Sequence, residues 1–215
     1  LPVAVLRDDA LTANIATMAR FTDDAGALLA PHAKTTMSPQ IVARQLDAGA
    51  WGMTAATAWQ AARVAEMGVD RIVLANEVTD PGSLRLLQDL LDARPDLTVW
   101  AYADSVDSLA ALDSVAPQRP GSLRILIELG FPGGRTGVRS PAQARDLALL
   151  AARRRHPVAG VAAFEGTLTA EDLPATIARV DAFLGEVGSL AVSLATDGLL
   201  ATDEPFVTVG GSAYP

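Results

Sequence analysis

The stretch Leu123-Arg124-Ile125-Leu126-Ile127-Glu128-Leu129 is the strongest strand candidate in the sequence, because five of its seven residues are Leu or Ile. A glycine-rich loop follows it, and Ser140-Pro141 then supplies the capping residue and the first-turn proline that begin a helix. An apolar strand followed by a helix is typical of a parallel sheet covered by helices. This stretch therefore predicts one βα unit.

The same strand-then-helix unit recurs along the chain. Six further apolar runs predict strands at residues 27–30, 52–54, 71–75, 97–101, 158–164 and 206–209. Amphipathic stretches rich in Ala and Leu alternate with them, including residues 9–21 before the first strand and residues 172–184 before the last. No Gly-x-Gly-x-x-Gly turn follows the first strand, which argues against a dinucleotide-binding sheet. The alternation predicts an α/β fold, a TIM-type (β/α)8 barrel that lacks its last strand.

Composition narrows the possible partners and the compartment. Half of the 215 residues are hydrophobic, so the chain can bury a large core, and the formal net charge of −8 disfavours nucleic-acid binding. No apolar run is long enough to span a membrane, and the absence of cysteine agrees with a cytoplasmic location. The first residue is not Met, and the chain ends after Tyr214-Pro215, one strand short of a closed barrel. We therefore expect residues 1–215 to be one barrel domain, a fragment of a longer two-domain protein.

Lys34 is the only lysine among the 17 Lys and Arg residues of the chain. It follows the first predicted strand directly, in Pro31-His32-Ala33-Lys34-Thr35, and barrel enzymes carry their chemistry where the strands end. A lysine there can form a Schiff base with a carbonyl, either of a substrate or of pyridoxal phosphate (PLP), which arginine cannot do at neutral pH. We expect Lys34 to be buried at the barrel mouth beside a cavity, with His32 either orienting it or transferring protons.

Two glycine-rich loops at the same end of the predicted barrel offer donors to an anion. Gly210-Gly211-Ser212 follows the last strand and either binds a phosphate with its backbone N–H groups or is a plain turn. Arg135 lies in a loop with four glycines and either donates to an anion or a ring nitrogen or remains solvated. Glu128, within an otherwise apolar strand, is expected to be paired or to point into the barrel, and His156 is expected on the surface at the opposite end.

The motif around Lys34 resembles a known pattern. Pro31-His32-Ala33-Lys34-Thr35 is similar to the Pro-His-x-Lys-Thr motif of the D-threonine aldolase and D-serine dehydratase family, PLP enzymes whose N-terminal domain is the alanine racemase type of barrel. The similarity covers nearly the whole chain and extends to bacterial proteins described as amino acid deaminases. Further matching stretches follow in order: Ile72-Val73-Leu74-Ala75-Asn76-Glu77-Val78, Ile127-Glu128-Leu129-Gly130, Arg135-Thr136-Gly137, Phe164-Glu165-Gly166 and Val209-Gly210-Gly211-Ser212-Ala213-Tyr214.

The resemblance implies a PLP-dependent lyase that acts on a D-amino acid with a β-hydroxyl group, by retro-aldol cleavage or by dehydration with loss of ammonia. By this resemblance Lys34 would hold PLP as a Schiff base and act as a base at the substrate α-carbon. Arg135 would face the pyridine nitrogen of the cofactor. The remaining residues implied in cofactor binding are Phe164, where relatives often have Tyr, and Gly210, Gly211, Ser212 and Tyr214.

The resemblance also bears on metal, partners and alternatives. It implies a divalent metal and a C-terminal β-domain that lie beyond Pro215, so we expect no metal ligand within the chain. It further implies a small amino acid substrate and a homodimer, with no nucleic-acid or membrane partner. Two other interpretations stay open: a non-catalytic PLP-binding barrel, and a class I aldolase that forms its Schiff base with the substrate and needs no PLP.

Overall fold

The computed structural model of the protein describes residues 5–202 and 204–211. No helix in these two ranges is both long and apolar enough to cross a membrane. The helices are α1 (Asp8–Asp24), α2 (Pro39–Asp47), α3 (Ala58–Glu66), α4 (Pro81–Ala93), α5 (Val106–Asp113), α6 (Pro141–Ala151) and α7 (Leu173–Thr196). The strands are β1 (Met53–Ala55), β2 (Arg71–Leu74), β3 (Thr98–Ala103), β4 (Leu123–Leu129), β5 (Val158–Ala163) and β6 (Phe206–Thr208).

The strands form one parallel sheet in the order β1-β2-β3-β4-β5-β6. The segment predicted as the first strand, residues 27–30, is not a regular strand, so that prediction is wrong in detail. It nevertheless runs beside β1, because the Trp51 N–H donates to the Leu29 carbonyl and the Thr54 N–H to the Pro31 carbonyl, both at 2.8 Å. Pro31 has no N–H to continue the ladder, which agrees with an irregular edge.

The sheet is curled rather than flat. Trp51 precedes β1 and Phe206 begins β6, at opposite sides of the six-stranded sheet, yet their ring centroids are 5.3 Å apart. In a flat sheet, five strand spacings of about 4.8 Å would separate them by about 24 Å. The Trp100 ring of β3 contacts both, at 4.8 Å from Trp51 and 5.5 Å from Phe206. The predicted α/β barrel fold is thus confirmed as a curled, parallel half-barrel.

Side chains of the strands alternate between two apolar layers. On β4, Ile125 and Ile127 pack in the large core between the sheet and the helices. Leu126 instead joins a smaller cluster with Trp100 on the inner face of the curl. Because neighbouring residues of a strand point to opposite faces, Glu128 shares the inner face with Leu126. Glu128 therefore points into the barrel, which was one of the two positions predicted for it.

Helix α7 continues to Thr196, whereas the sequence predicted a helix only over residues 172–184. Two glycines after residue 184 are unfavourable in a helix by up to about 1 kcal/mol each. The buried residues Val187, Leu190 and Leu194 recur at helical spacing beyond that point and pack in the core. The burial of these side chains outweighs the unfavourable helix propensity of the two glycines, so the helix continues to Thr196.

His156 is buried, with 5% of its surface exposed, so the expected surface position is wrong. Its Nε2–H donates to the Leu112 carbonyl at the end of α5, at 3.0 Å. The segment after α6 folds back against α5, and this long-range contact has no local signal in the sequence. Burial lowers the pKa of His156 below its ordinary value of 6.5.

We expect the free energy of unfolding to fall as the pH drops below about 6.5, and His156→Gln to remove part of that dependence. The unfolded chain takes up a proton near 6.5, whereas the folded chain does so only at lower pH, so protonation favours unfolding. One such group contributes a slope of at most about 1.4 kcal/mol per pH unit. Urea unfolding at a series of pH values measures the slopes for the parent and for His156→Gln. Equal slopes for the parent and His156→Gln would contradict the prediction.

Candidate active site

Lys34 lies at the carboxyl end of the sheet. His32 forms an isolated parallel bridge with Thr54 of β1, and a 3-10 turn, Ala33–Thr35, begins directly after it. The Thr54 hydroxyl donates to the Ala30 carbonyl at 2.7 Å and ties this segment to the strand. Since the strands are parallel, the turn emerges at the end where the other strands also finish.

The Lys34 side chain is exposed, so the prediction of burial is wrong. Residues 27–31 form the edge of the sheet in the described part of the chain, and the turn that follows therefore faces water. No described residue forms a hydrogen bond or an ion pair with the Lys34 ammonium. Desolvation by burial, and then the charge of Lys34, lower the pKa of His32 below its ordinary value of 6.5, so His32 is neutral at pH 7 and can accept a proton.

The loop after β4 carries Arg135 and is closed at its base. The Gly130 N–H donates to the Val138 carbonyl at 2.8 Å, and the Val138 N–H donates to the Glu128 carbonyl at 2.9 Å. A Cβ on Gly130 would collide with a backbone carbonyl across the loop, so this close approach requires glycine. At the outer end, the Arg135 guanidinium lies 4.5 Å from the centre of the Phe164 ring, a cation–π contact.

Phe164 in turn connects Arg135 to the glycine loop after β6. A Cβ on Gly166 would lie 2.7 Å from the Phe164 ring and 3.2 Å from the Cα of Gly211. The loops that follow β4, β5 and β6 therefore meet at one place. Three of the residues predicted to bind the cofactor, Arg135, Phe164 and Gly211, lie along this line of contacts.

The glycine loop itself has one closed and one open side. The Gly211 N–H donates to Oε1 of Glu165, whose side chain is buried and whose Oε2 has no described partner. No described atom lies within 4 Å of a Cβ built on Gly210, which is exposed. The other two residues predicted here, Ser212 and Tyr214, lie outside the described residues.

Three carboxylates from neighbouring strand ends converge on the inner face. Glu77 follows β2, Asp104 follows β3, and Glu128 belongs to β4, and each offers an oxygen within 4.8 Å of the other two. Burial, and then the neighbouring Glu77, raise the pKa of Glu128 to about 8. The sequence analysis expected no metal ligand in the chain and missed this cluster. The signal available was one acidic residue at or just after each of three consecutive strands.

Residues 6–200 match the family described as "Alanine racemase, N-terminal domain". The chain belongs to this family. The predicted resemblance is thereby confirmed, and the barrel is of a PLP-dependent fold family.

The alanine racemase-type barrel is similar to several lyases. It is 30% identical over 153 residues to a D-threonine aldolase from Arthrobacter, covering 68% of this chain and 40% of that protein. It is 32% identical over 137 residues to D-threo-3-hydroxyaspartate dehydratase from Delftia, covering 64% of this chain and 35% of that protein. A crystal structure of the Delftia enzyme matches 97% of this chain and 54% of its own, with a TM-score of 0.78 and 28% identity. That of D-threonine aldolase from Filomicrobium marinum matches 97% of this chain and 56% of its own, with a TM-score of 0.81 and 23% identity.

The chain spans about half the length, or less, of the relatives that it matches. Within that span, the residues of the barrel fit PLP. Lys34 offers a primary amine without a partner among the described residues, and Gly210 borders open space at the end of β6. Arg135 supplies a cation on the loop that contacts the Phe164 ring.

Proposed function

We propose that the protein is a PLP-dependent lyase that acts on a D-amino acid carrying a β-hydroxyl group. The observation that carries the proposal is Lys34, the sole lysine, with an amine that no described residue binds, at the carboxyl end of an alanine racemase-type barrel. Relatives named D-threonine aldolase and D-threo-3-hydroxyaspartate dehydratase support this class of substrate. The reaction is either cleavage of the Cα–Cβ bond to give an aldehyde or loss of the β-hydroxyl followed by ammonia.

Bound PLP supplies an electron sink for the bond that breaks at the substrate α-carbon. Lys34 would hold the cofactor through its Nζ atom and would move a proton at the substrate α-carbon. His32 is two residues away, and its lowered pKa leaves a neutral imidazole that can take up and return protons beside Lys34. These two residues are the catalytic groups of the proposal.

The phosphate group and the pyridine ring of the cofactor need different hydrogen-bond donors from the protein. Because the Gly211 N–H already donates to Glu165, we infer that the phosphate approaches the loop from its open side at Gly210. The Ser212 hydroxyl is the proposed second donor there. Arg135 is the proposed partner of the pyridine nitrogen, and its contact with the Phe164 ring supports a position beside an aromatic ring system. The residues proposed to bind PLP are thus Lys34, Arg135, Phe164, Gly210, Gly211, Ser212 and Tyr214.

The test is turnover of β-hydroxy D-amino acids by the intact protein loaded with PLP and a divalent metal. We expect D-threonine or D-threo-3-hydroxyaspartate to be consumed and the L-enantiomers to be left intact. Release of an aldehyde with glycine would assign an aldolase, and release of ammonia with a 2-oxo acid would assign a dehydratase. If the protein binds PLP but only racemises or decarboxylates amino acids, the proposal is wrong.

The proposal also covers the substrate, the compartment, the oligomeric state and the binding partners of the protein. We infer that its substrate is a small amino acid, that the protein works in the cytoplasm as a homodimer, and that it binds neither nucleic acid nor membrane. The absence of cysteine and the net charge of −8 support the compartment and the lack of a nucleic-acid partner. The ligands of the family's divalent metal are proposed to lie beyond Pro215.

A further inference from the structure

The three carboxylates on the inner face of the sheet form a compact cluster that is partly buried. Glu77, Asp104 and Glu128 come from three consecutive strand ends, and their nearest oxygens all lie within 4.8 Å of one another. Glu77 and Asp104 are half-buried, so the cluster opens toward the mouth, whereas Glu128 is 3% exposed at its floor. The sheet therefore presents three acidic side chains to one small space.

The Glu128 carboxylate is directed into this space without a full set of partners. Its Oε2 atom is buried and has no hydrogen-bond partner among the described residues, and the same holds for Oε1 of Glu77. A buried carboxylate oxygen without a partner is costly, because nothing replaces the water that it has lost. Glu128 and Glu77 are close enough to share a proton, which would satisfy one oxygen of each, and otherwise a ligand from outside the described residues must do so.

No Lys, Arg or His side chain in the described part of the chain forms an ion pair with the cluster. None of the ion pairs among residues 5–202 and 204–211 includes Glu77, Asp104 or Glu128. Three carboxylates in such proximity repel one another unless protons or a cation neutralise them. One proton shared by Glu128 and Glu77 removes a single negative charge and leaves two among the three carboxylates. A bound cation would neutralise those charges and coordinate the oxygens that lack a donor.

We propose that Glu77, Asp104 and Glu128 bind a hard divalent cation of the Ca²⁺, Mg²⁺ and Mn²⁺ class. Carboxylate oxygens are the ligands that Ca²⁺, Mg²⁺ and Mn²⁺ prefer. Ca²⁺ holds oxygens at about 2.3–2.6 Å, so ligands on opposite sides of it lie about 4.6–5.2 Å apart. The separations in the cluster, all within 4.8 Å, lie within about that span.

The test is calorimetric titration of the chelator-treated protein with CaCl₂, and then with MnCl₂ and MgCl₂, in the absence of PLP. We expect saturable binding of one ion per chain and a rise in melting temperature on binding. Glu128→Gln keeps the shape of the side chain and removes its charge, so it should weaken the affinity at least tenfold. Because the experiment omits cofactor and substrate, its outcome is independent of the proposed lyase activity.

Matched variants separate loss of the site from loss of the fold. Glu186→Gln removes an exposed carboxylate on α7 and should bind the ion like the parent protein. At neutral pH and without the ion, Glu128→Gln should melt no lower than the parent, because the raised pKa of Glu128, about 8, already keeps that side chain protonated and Gln is neutral as well. If it fails to fold, Asp104→Asn, at the half-buried rim, takes its place. Absence of saturable binding, a protonated cluster only, or affinity that survives both substitutions would overturn the proposal.

Discussion

Replacing Lys34 with arginine is expected to abolish covalent capture of PLP by this chain. Arginine keeps the positive charge and much of the length of the side chain, but its guanidinium stays protonated and cannot attack an aldehyde. Since Lys34 is the only lysine in the sequence, no neighbouring side-chain amine can take over. Lys34→Ala should give the same result. The loss should therefore be complete rather than partial.

The measurement is visible absorbance after addition of PLP, followed by borohydride reduction and peptide mass spectrometry. In the parent protein the reduced cofactor should be found on the peptide that contains Lys34. Arg20→Lys is the matched control, because it adds an exposed lysine on α1 without altering the sheet. The label should stay on Lys34 in that variant. A yellow, reducible species in Lys34→Arg would show that the colour has another source.

Much of the fold could be predicted because its signals are local. Strand β4 has the predicted bounds, residues 123–129, since a short run with five Leu and Ile residues among seven, followed by a glycine-rich loop, indicates a buried strand. Three helices begin with a proline directly after a Ser or Asp, as predicted for the one at Ser140-Pro141, and each capping side chain accepts a nearby backbone N–H. The pairs are Ser38 with Ile41, Asp80 with Ser83, and Ser140 with Gln143.

What could not be predicted depends on contacts between distant parts of the chain. The Gly211 N–H meets Glu165 only because the loops after β5 and β6 converge. The carboxylates of Glu77, Asp104 and Glu128 approach one another only because three neighbouring strands end at the same level. The exposure of Lys34 likewise follows from its place at a sheet edge, whereas its sequence position indicates only that it follows a strand. Periodicity and motifs identify which residues reach the mouth, and the curl of the sheet decides their partners.

Gly210→Val is expected to weaken the binding of PLP and of inorganic phosphate at least tenfold, or by about 1.4 kcal/mol, without lowering the melting temperature. No described atom lies within 4 Å of a Cβ built on Gly210, so the folded protein accommodates the new side chain. A phosphate bound to the loop from its open side needs that space, and the valine methyl groups would occupy it. Ser212→Ala removes one hydrogen bond to a charged group, worth about 1.5–3 kcal/mol, and leaves the space open.

Gly211→Ala is the comparison variant for Gly210→Val, because the Cβ atom added at residue 211 would collide with neighbouring protein atoms. Its Cβ would lie 2.7 Å from the Cα and 2.8 Å from the N of Gly166, and it would also collide with the Glu165 carboxylate. We therefore expect this variant to lose melting temperature as well as PLP affinity, whereas Gly210→Val should lose affinity alone. Thermal unfolding and titration with PLP, followed by absorbance, measure both quantities on the same samples. Parental affinity in Gly210→Val, in a protein that melts normally, would mean that the phosphate binds elsewhere.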